Sequence, residues 1–451
     1  MSGQMGDPQE PLLSRLAARL AAPVDAASRS RARLHLLDWL GCAAAAAPDP
    51  LAGALASLAP LSAQSGTAPV LARGHATPIQ ALLIHGALGS ALELDDLDRE
   101  ALLHPSAAVV PAALAACRPE TPGEELLDAV VRGTEAMVRI GRALGPGHYR
   151  FWHPSSTCGA FGAAAATASL LRLDAAATAH ALATAGSRTG GLWQLRHEPV
   201  PTKRLHFALA ALEGFLAAEL AAAGIPGPLR LLEGEQGLFA ATAPAARPEA
   251  VLAPAGSWLI HELSFKPYPA CRHVHPAIDA LAALLPLAPA EIAGIEVACY
   301  AAAVAFCDRP EPASPEEARF SLQHALAARI LLGEPEPAHY RGAALADPAL
   351  AALRRRIRLR EDEELSRAFP RRFGARVRIT LADGRELAAE ARDARGDPER
   401  PLAEAELIAK ARRLFAEGGL SAAGAEGLIA AALTLDGRPA APLLAAIAEA
   451  R

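Results

Sequence analysis

Residues 91–116, ALELDDLDREALLHPSAAVVPAALAA, place Glu93, Asp95, Asp96, Asp98 and His104 between two apolar helical runs, and the rest of the chain is read outward from them. Upstream, Thr77-Pro78-Ile79-Gln80 has the chemistry of a helix start: Thr as N-cap, Pro at the first helical position, Gln three residues on. The helix it predicts runs through Leu82, Ile84, His85, Leu88 and Leu92 and is too apolar for a surface element. It delivers the carboxylates at its C-terminal end, where the macrodipole opposes negative charge. Two readings follow, a solvated acidic loop or the lining of a cleft. Downstream, His104-Pro105-Ser106 leads into a helix, Val109 to Ala116, with almost no polar face. A loop between two buried helices favours the cleft.

The 451 residues, 52% hydrophobic and 21% charged, predict two domains or one large domain with an insertion, around a sizeable core. A net charge of −5 argues against general nucleic-acid binding. The longest apolar runs are broken by Glu213 and Glu219, or by Arg172 and Asp174. A soluble, cytoplasmic protein with no membrane partner is therefore expected. Six cysteines, at 42, 117, 158, 271, 299 and 307, include no C-x-x-C pair, so reduced thiols are expected. Only three of the 44 basic residues are lysine, at 203, 266 and 410. In a chain so biased towards arginine, a surviving lysine marks a candidate site for a compact charge or a labile proton, chance survival being the alternative.

Helices are predicted over 9–22 and 25–47, from Thr121-Pro122-Gly123-Glu124 to about Leu144, and from Asp174 to about Ala185. Residues 148–171, HYRFWHPSSTCGAFGAAAATASLL, carry a His-bearing aromatic loop into an Ala- and Gly-lined helix, predicted to be central because small residues allow close helix approach. Lys203-Arg204-Leu205-His206 heads a long helix ending at Gly224. From about residue 258 the texture changes. WLIHELSFKPYPACRHVHPAIDALAALL reads as an extended stretch, a Pro-rich turn and a helix, and Ile292 to Tyr300 as a strand. Ser314 caps a helix through Leu332, and Arg376–Leu381 meets Glu386–Ala391 across an Asp383-Gly384 hairpin turn. Helices resume at 402–416, 420–433 and 440–450. The fold class is mainly α with α+β: a helical domain from both chain ends, 1–263 and 399–451, and an inserted α+β lid, 264–398.

Four segments hold most of the unusual polar groups: the acids with His104; His153 with Ser155, Ser156 and Thr157; Lys203 with Arg204 and His206; and Lys266 with Tyr268, Cys271, Arg272, His273 and His275. A site offering carboxylates, imidazoles and fixed cations suits an anionic polycarboxylate. Arg and Lys hold its carboxylates, while a neutral His or an Asp takes a proton from the adjacent carbon. The rival chemistry is a metal held by Asp95, Asp96, Asp98 and His104, with His273 and His275 as further ligands. No H-E-x-x-H spacing occurs, and G-x-S-x-G, the mark of serine hydrolysis, is absent.

In order along the chain, ELDD with HPSAAVVPAALA, FWHPSSTCGAFGAAAA, TKRLH, GPLRLLEGEQGLF, KPYPACRHVHPAID and ARFSLQHALA resemble the MmgE/PrpD family, the 2-methylcitrate dehydratase and cis-aconitate decarboxylase group. The resemblance covers nearly the whole chain. It implies a helical domain made from both chain ends, an inserted lid, a cleft between the two, and homodimers. It also implies activity without metal or organic cofactor, as a hydratase, decarboxylase or epimerase of small di- and tricarboxylates. By the family's pattern, His104, His153, Lys203 and Lys266 occupy active-site positions, Asp96 the family's aspartate and His275 that of a lid histidine. Better-known members are expected to carry Asp where Glu93 stands, Thr at Leu97 and an aromatic at His324. The FWH variant is similar to epimerase-like branches as well as to dehydratases.

The expected protein is a lyase or isomerase that abstracts a proton α to a carboxylate, a 2-methylcitrate dehydratase-like hydro-lyase. An epimerase or decarboxylase on a related acid, and a non-catalytic carboxylate-binding protein of the same fold, are the alternatives. His104 and His153 are the expected acid and base in either order, Asp96 orients an imidazole, and Lys203, Lys266 and Arg272 bind carboxylates. Glu93, Asp95, Tyr268, Thr157, Arg204 and His275 complete the expected substrate-binding set, with no metal and no cofactor.

Overall fold

Side chains at helix starts do much of the local folding. The computed structural model, which describes residues 10–58, 66–198 and 200–450, has Thr77 Oγ1 accepting the Gln80 N–H at 3.2 Å, with Pro78 at the head of the helix Pro78–Gly89. Asp25 and Asp174 accept the Ser28 and Ala177 N–H groups in the same way, opening Ala26–Ala46 and Ala175–Gly186. The helix expected from residue 9 is Leu12–Leu20; Gln9 itself lies outside the described residues.

The protein is mainly α with a smaller α+β part, and the chain divides into two compact units. The helical unit takes residues up to Ala91, then Asp95–Leu263, then Ala403 onwards; the other takes Leu92–Leu94 and Ser264–Leu402. Both chain ends thus contribute to the helical unit, where Glu404–Glu417 packs along Ala26–Ala46. Inside that contact Lys410 Nζ meets Asp38 Oδ1 at 2.6 Å, a buried ion pair.

At the centre of the helical unit lies Pro154–Leu170, buried from Pro154 to Ala168. Its small residues allow the neighbouring helices, Gly123–Tyr149 and Thr202–Ala222, to approach at backbone distance. A Cβ on Gly162 would stand 3.0 Å from the Gly133 carbonyl oxygen, and one on Gly214 only 2.3 Å from that of Ala160. Thr202–Ala222 is long and apolar enough, by length and composition alone, to cross a membrane, but half of its most apolar stretch is buried inside the protein.

The α+β unit contains a four-stranded sheet in the order Ile357–Glu361, Ile292–Cys299, Ala375–Leu381, Glu386–Ala391. The first pair is parallel and the others antiparallel, with Val377 opposite Ala389 in the terminal hairpin. Gly384 turns that hairpin at φ 85°. Ala375, Val377, Ile379 and Leu381 alternate inward, on a sheet packed against the helix His275–Ala282.

Several expectations needed correction. The helix from Gly123 does end at about Leu144, with a break at Gly145 (φ 68°), but Pro146 starts a further helical turn to Tyr149 that was not expected. The helix expected from Ser314 to Leu332 is two, Pro315–Arg319 and Leu322–Leu331, because Ser321 caps a second start by accepting the His324 N–H. The stretch after Trp258 is a 3₁₀ turn, Leu259–Glu262, rather than extended chain. The strands Ala68–Val70, Gly74–Ala76 and Ile357–Glu361 were not anticipated.

Candidate active site

The acids of the opening stretch are not solvated: Glu93, Asp95, Asp96 and Asp98 are all at most 5% exposed. Burial of ionised carboxylates demands partners, and each acid has a different one. Asp98 pairs with Arg142 Nη2 at 2.6 Å and accepts the Ala101 N–H. Glu93, at φ 54°, faces Lys266 Nζ at 3.5 Å within the α+β unit.

Asp96 Oδ2 accepts from His35 Nδ1 at 2.7 Å and from Ser106 Oγ at 2.5 Å, and its Oδ1 accepts the Ser106 N–H at 3.0 Å. Burial works to raise its pKa, but the His35 and Ser106 hydrogen bonds outweigh it and hold the carboxyl below its ordinary value. The imidazole that Asp96 holds is that of His35, a residue outside the expected set, and not one of the expected pair. Among the described residues the Asp96 carboxylate bonds to His35 and Ser106 and not to His104 or His153. The only signal of His35 in the sequence was a histidine on the buried face of an apolar helix, which more often marks packing than chemistry.

His104 is held by the backbone carbonyl of Asp96, with the Asp95 carboxylate beside it. Its Nδ1 lies 2.8 Å from the Asp96 carbonyl oxygen and 3.1 Å from Asp95 Oδ2. Both neighbours only accept, so Nδ1 carries the proton and, in the neutral ring, Nε2 carries the lone pair. The His104 N–H donates to Ser155 Oγ at 3.0 Å, which ties this loop to the start of Pro154–Leu170.

His153 is the N-cap residue of that helix and is 1% exposed. Its N–H donates to the Gly191 carbonyl at 2.8 Å, its ring leans on Trp193 at 4.4 Å, and its Nδ1 lies 3.1 Å from His206 Nδ1. Phe207 stands edge-on to both His104 and His153, with centroids 6.2 and 5.1 Å away. Burial, and after it the charge of Lys203 and the neighbouring His206, His104 and His148, push the His153 pKa well below its ordinary value. His153 is therefore neutral at pH 7. Lys203 is half-buried at the head of Thr202–Ala222, one turn before His206 and Phe207 on the same helix face. His104, His153 and Lys203 thus come together in the helical unit. That i, i+3 spacing of Lys203 and His206 was the clue that could have added His206 to the expected set.

Other expected residues are engaged elsewhere. Arg204 Nη1 binds Asp49 Oδ2 at 2.5 Å. Thr157 Oγ1 lies 3.0 Å from His148 Nε2, and His148 is pushed down to about 4, by burial above all. In the α+β unit Arg272 bonds to Asp397 and donates to the carbonyls of Arg395 and Phe265 and to His275 Nδ1. His275 Nε2 faces the Ala270 carbonyl at 3.1 Å, so that nitrogen donates and Nδ1 accepts from Arg272. Tyr268 donates to Asp279 at 2.8 Å, and its hydroxyl pKa is raised, burial being the main cause. Arg272, His275 and Tyr268 spend these bonds holding their own unit together.

The groups expected for a metal are spread over separate partners: Asp96 on His35, Asp98 on Arg142, His275 on Arg272, and His273 Nδ1 on the Tyr300 hydroxyl at 2.7 Å. Among the described residues the potential ligand cluster is instead Asp393, Asp397 and Glu399, two of whose carboxylates already pair with Arg372 and Arg272.

A half-buried histidine beside a carboxylate, a second, buried one kept neutral, and a half-buried lysine lie together inside an alanine-rich helical core. The MmgE/PrpD N-terminal domain family matches residues 13–250 and the C-terminal domain family residues 268–436, so this chain belongs to the MmgE/PrpD family. It is 29% identical over 354 residues to the cis-aconitate decarboxylase of Homo sapiens, covering 74% of this chain and 72% of that protein. It is 27% identical to the Mus musculus cis-aconitate decarboxylase over 74% of this chain and 71% of that one. To the 2-methylcitrate dehydratase of Cupriavidus necator it is 31% identical, over 29% of this chain and 30% of that one.

Proposed function

We propose that the protein is a lyase or isomerase of the MmgE/PrpD type, removing a proton from the carbon next to a carboxylate of a small di- or tricarboxylic acid, with side chains alone doing the chemistry. The observation that carries this is the placement of His104 Nδ1, 2.8 Å from the Asp96 carbonyl oxygen and 3.1 Å from Asp95 Oδ2, which favours a proton on Nδ1 and leaves Nε2 to accept one. His153, held neutral, is the partner that donates one, and each such group contributes about 10²–10⁴-fold. Lys203 binds a substrate carboxylate and steadies the enolate-like charge that follows deprotonation. Lys266, facing Glu93, is the corresponding cation of the α+β unit. The names of the human and Cupriavidus relatives denote a decarboxylation and a dehydration of small polycarboxylates, which supports the same substrate class here. The reading also takes residues 264–398 as a lid, the protein as a homodimer, and its location as the cytoplasm.

The test is solvent deuterium incorporation into cis-aconitate, citrate, 2-methylcitrate and iminodisuccinate analogues. Wild-type protein exchanges at least one of them, while His104→Gln and Lys203→Met do not. Binding without exchange in the wild type would favour a carboxylate-binding protein. A stoichiometric metal whose removal by EDTA stops turnover would overturn the metal-free chemistry.

A further inference from the structure

We infer that His206 is a proton relay, connecting His153 to an open groove that lies on the other side of the histidine pair. This rests on the reading of His153 as an acid–base group. His153 Nδ1 and His206 Nδ1 are 3.1 Å apart, a distance that between two neutral rings holds one shared proton. The tautomers are therefore coupled. If His206 donates, His153 carries its other proton on Nε2 and is an acid; if His153 donates, its Nε2 holds a lone pair and is a base.

His206 lines a groove of about 540 Å³, and among the described residues neither His153 nor His104 does. Leu192 and Leu209 form part of its walls, and Arg188, Glu198 and Glu213 bring charge to it. Lys203 on the same helix and His153 opposite are the titratable groups recorded against His206 itself. Gly191 keeps the contact open. It sits at φ 102°, and a Cβ there would stand 2.5 Å from Ser156 Cβ and 3.3 Å from His206 Nδ1.

The transfer balances without charging either ring. When His153 gives its Nε2 proton to the substrate, His206 passes its Nδ1 proton to His153 Nδ1, and solvent in the groove gives a proton to His206 Nε2, leaving a hydroxide that the bulk buffer neutralises. Run in reverse, a proton taken from substrate by His153 Nε2 leaves through His206 Nε2. A neutral route suits this place: His206 is pushed down to about 4 by burial and by Lys203, so neither imidazole readily becomes a cation.

His206→Gln tests the relay, because the amide can still hydrogen-bond His153 Nδ1 but cannot exchange a ring proton. On an acid that the wild type exchanges, kcat should fall roughly 10²-fold with KM unchanged, and added imidazole should restore it. Unchanged kcat would overturn the relay. So would a loss that imidazole does not rescue, which would leave His206 a packing residue. If the wild type exchanges no acid, the proposed function fails by itself, and ¹⁵N spectra of the imidazoles decide the relay separately. His153 Nδ1 averaging between two tautomers in the wild type and fixed in one in His206→Gln supports it; the same His153 signal in both proteins overturns it.

Discussion

Asp95 Oδ2 stands 3.1 Å from His104 Nδ1, and the carbonyl of the next residue, Asp96, completes the grip on the same ring nitrogen at 2.8 Å. Adjacent aspartates thus divide the work: one faces the candidate base, and the other is locked to His35 and Ser106. Asp95→Asn replaces an acceptor by an amide that can donate to Nδ1, and so favours the tautomer with its lone pair on the wrong side. Turnover should fall by about 10²–10⁴-fold with KM little changed. Steady-state kinetics beside circular dichroism checks this, and undiminished kcat would remove Asp95 from the machinery.

Lys266 is fully buried and faces Glu93, so Lys266→Met should remove activity and also take an ion-pair partner from a buried carboxylate. The single variant should lose about 3–5 kcal/mol of stability. Pairing it with Glu93→Gln should recover most of that loss without recovering turnover. Equal denaturation midpoints for the single variant and the wild type would contradict the pairing.

Arg272 offers a different outcome from the carboxylate-binding role expected of it. Its bonds to Asp397, to backbone carbonyls and to His275 make it a brace of the α+β unit. Arg272→Met should cost about 3–5 kcal/mol, because it leaves Asp397 buried without its ion-pair partner. Thermal unfolding measures this. A raised KM at unchanged melting temperature would return Arg272 to the substrate.

His85 ties stability to pH. Its Nε2 accepts the Leu71 N–H at 3.1 Å in a fully buried place, and burial pushes its pKa down from 6.5 to about 4. The unfolded chain then binds a proton that the folded one refuses between those values. The contribution is whole above pH 6.5 and is lost as pH falls towards 4, at about 1.4 kcal/mol per pH unit. His85→Gln should flatten the melting-temperature profile between pH 6.5 and 4 by that slope. A profile as steep as that of the wild type would show that the acid sensitivity lies elsewhere.

What could be read in the sequence was what neighbours in sequence decide. Thr77-Pro78-Ile79-Gln80 and Asp383-Gly384 carry their own geometry, and the helix start and hairpin they set stand where they were expected, although the helix ends at Gly89 and does not reach Leu92. The strand Ile357–Glu361 could not be read. Three residues of its IRLRE are arginine or glutamate, little of it is buried, and it is a strand because it pairs in parallel with Ile292–Cys299, some sixty residues back. The site divided along the same line. His104, His153 and Lys203 stood out as scarce residue types, and the helical unit brings them together. Which aspartate serves which imidazole depended on His35, far away in the chain, and no local pattern distinguishes Asp95 from Asp96. Arg204 and Thr157 drew attention by sitting next to informative residues, yet Asp49 and His148 hold them.

Leu92–Leu94 belongs with Ser264–Leu402 although it is far from it in sequence, and it brings Glu93 to the buried ammonium of Lys266. An excised fragment starting at Ser264 would omit this tripeptide and with it the counter-charge. Grafting the sheet-bearing unit onto a relative, to exchange specificities, therefore means moving two pieces of chain, and a chimera joined only at residues 263 and 403 would pair Lys266 with whatever the host supplies at that loop.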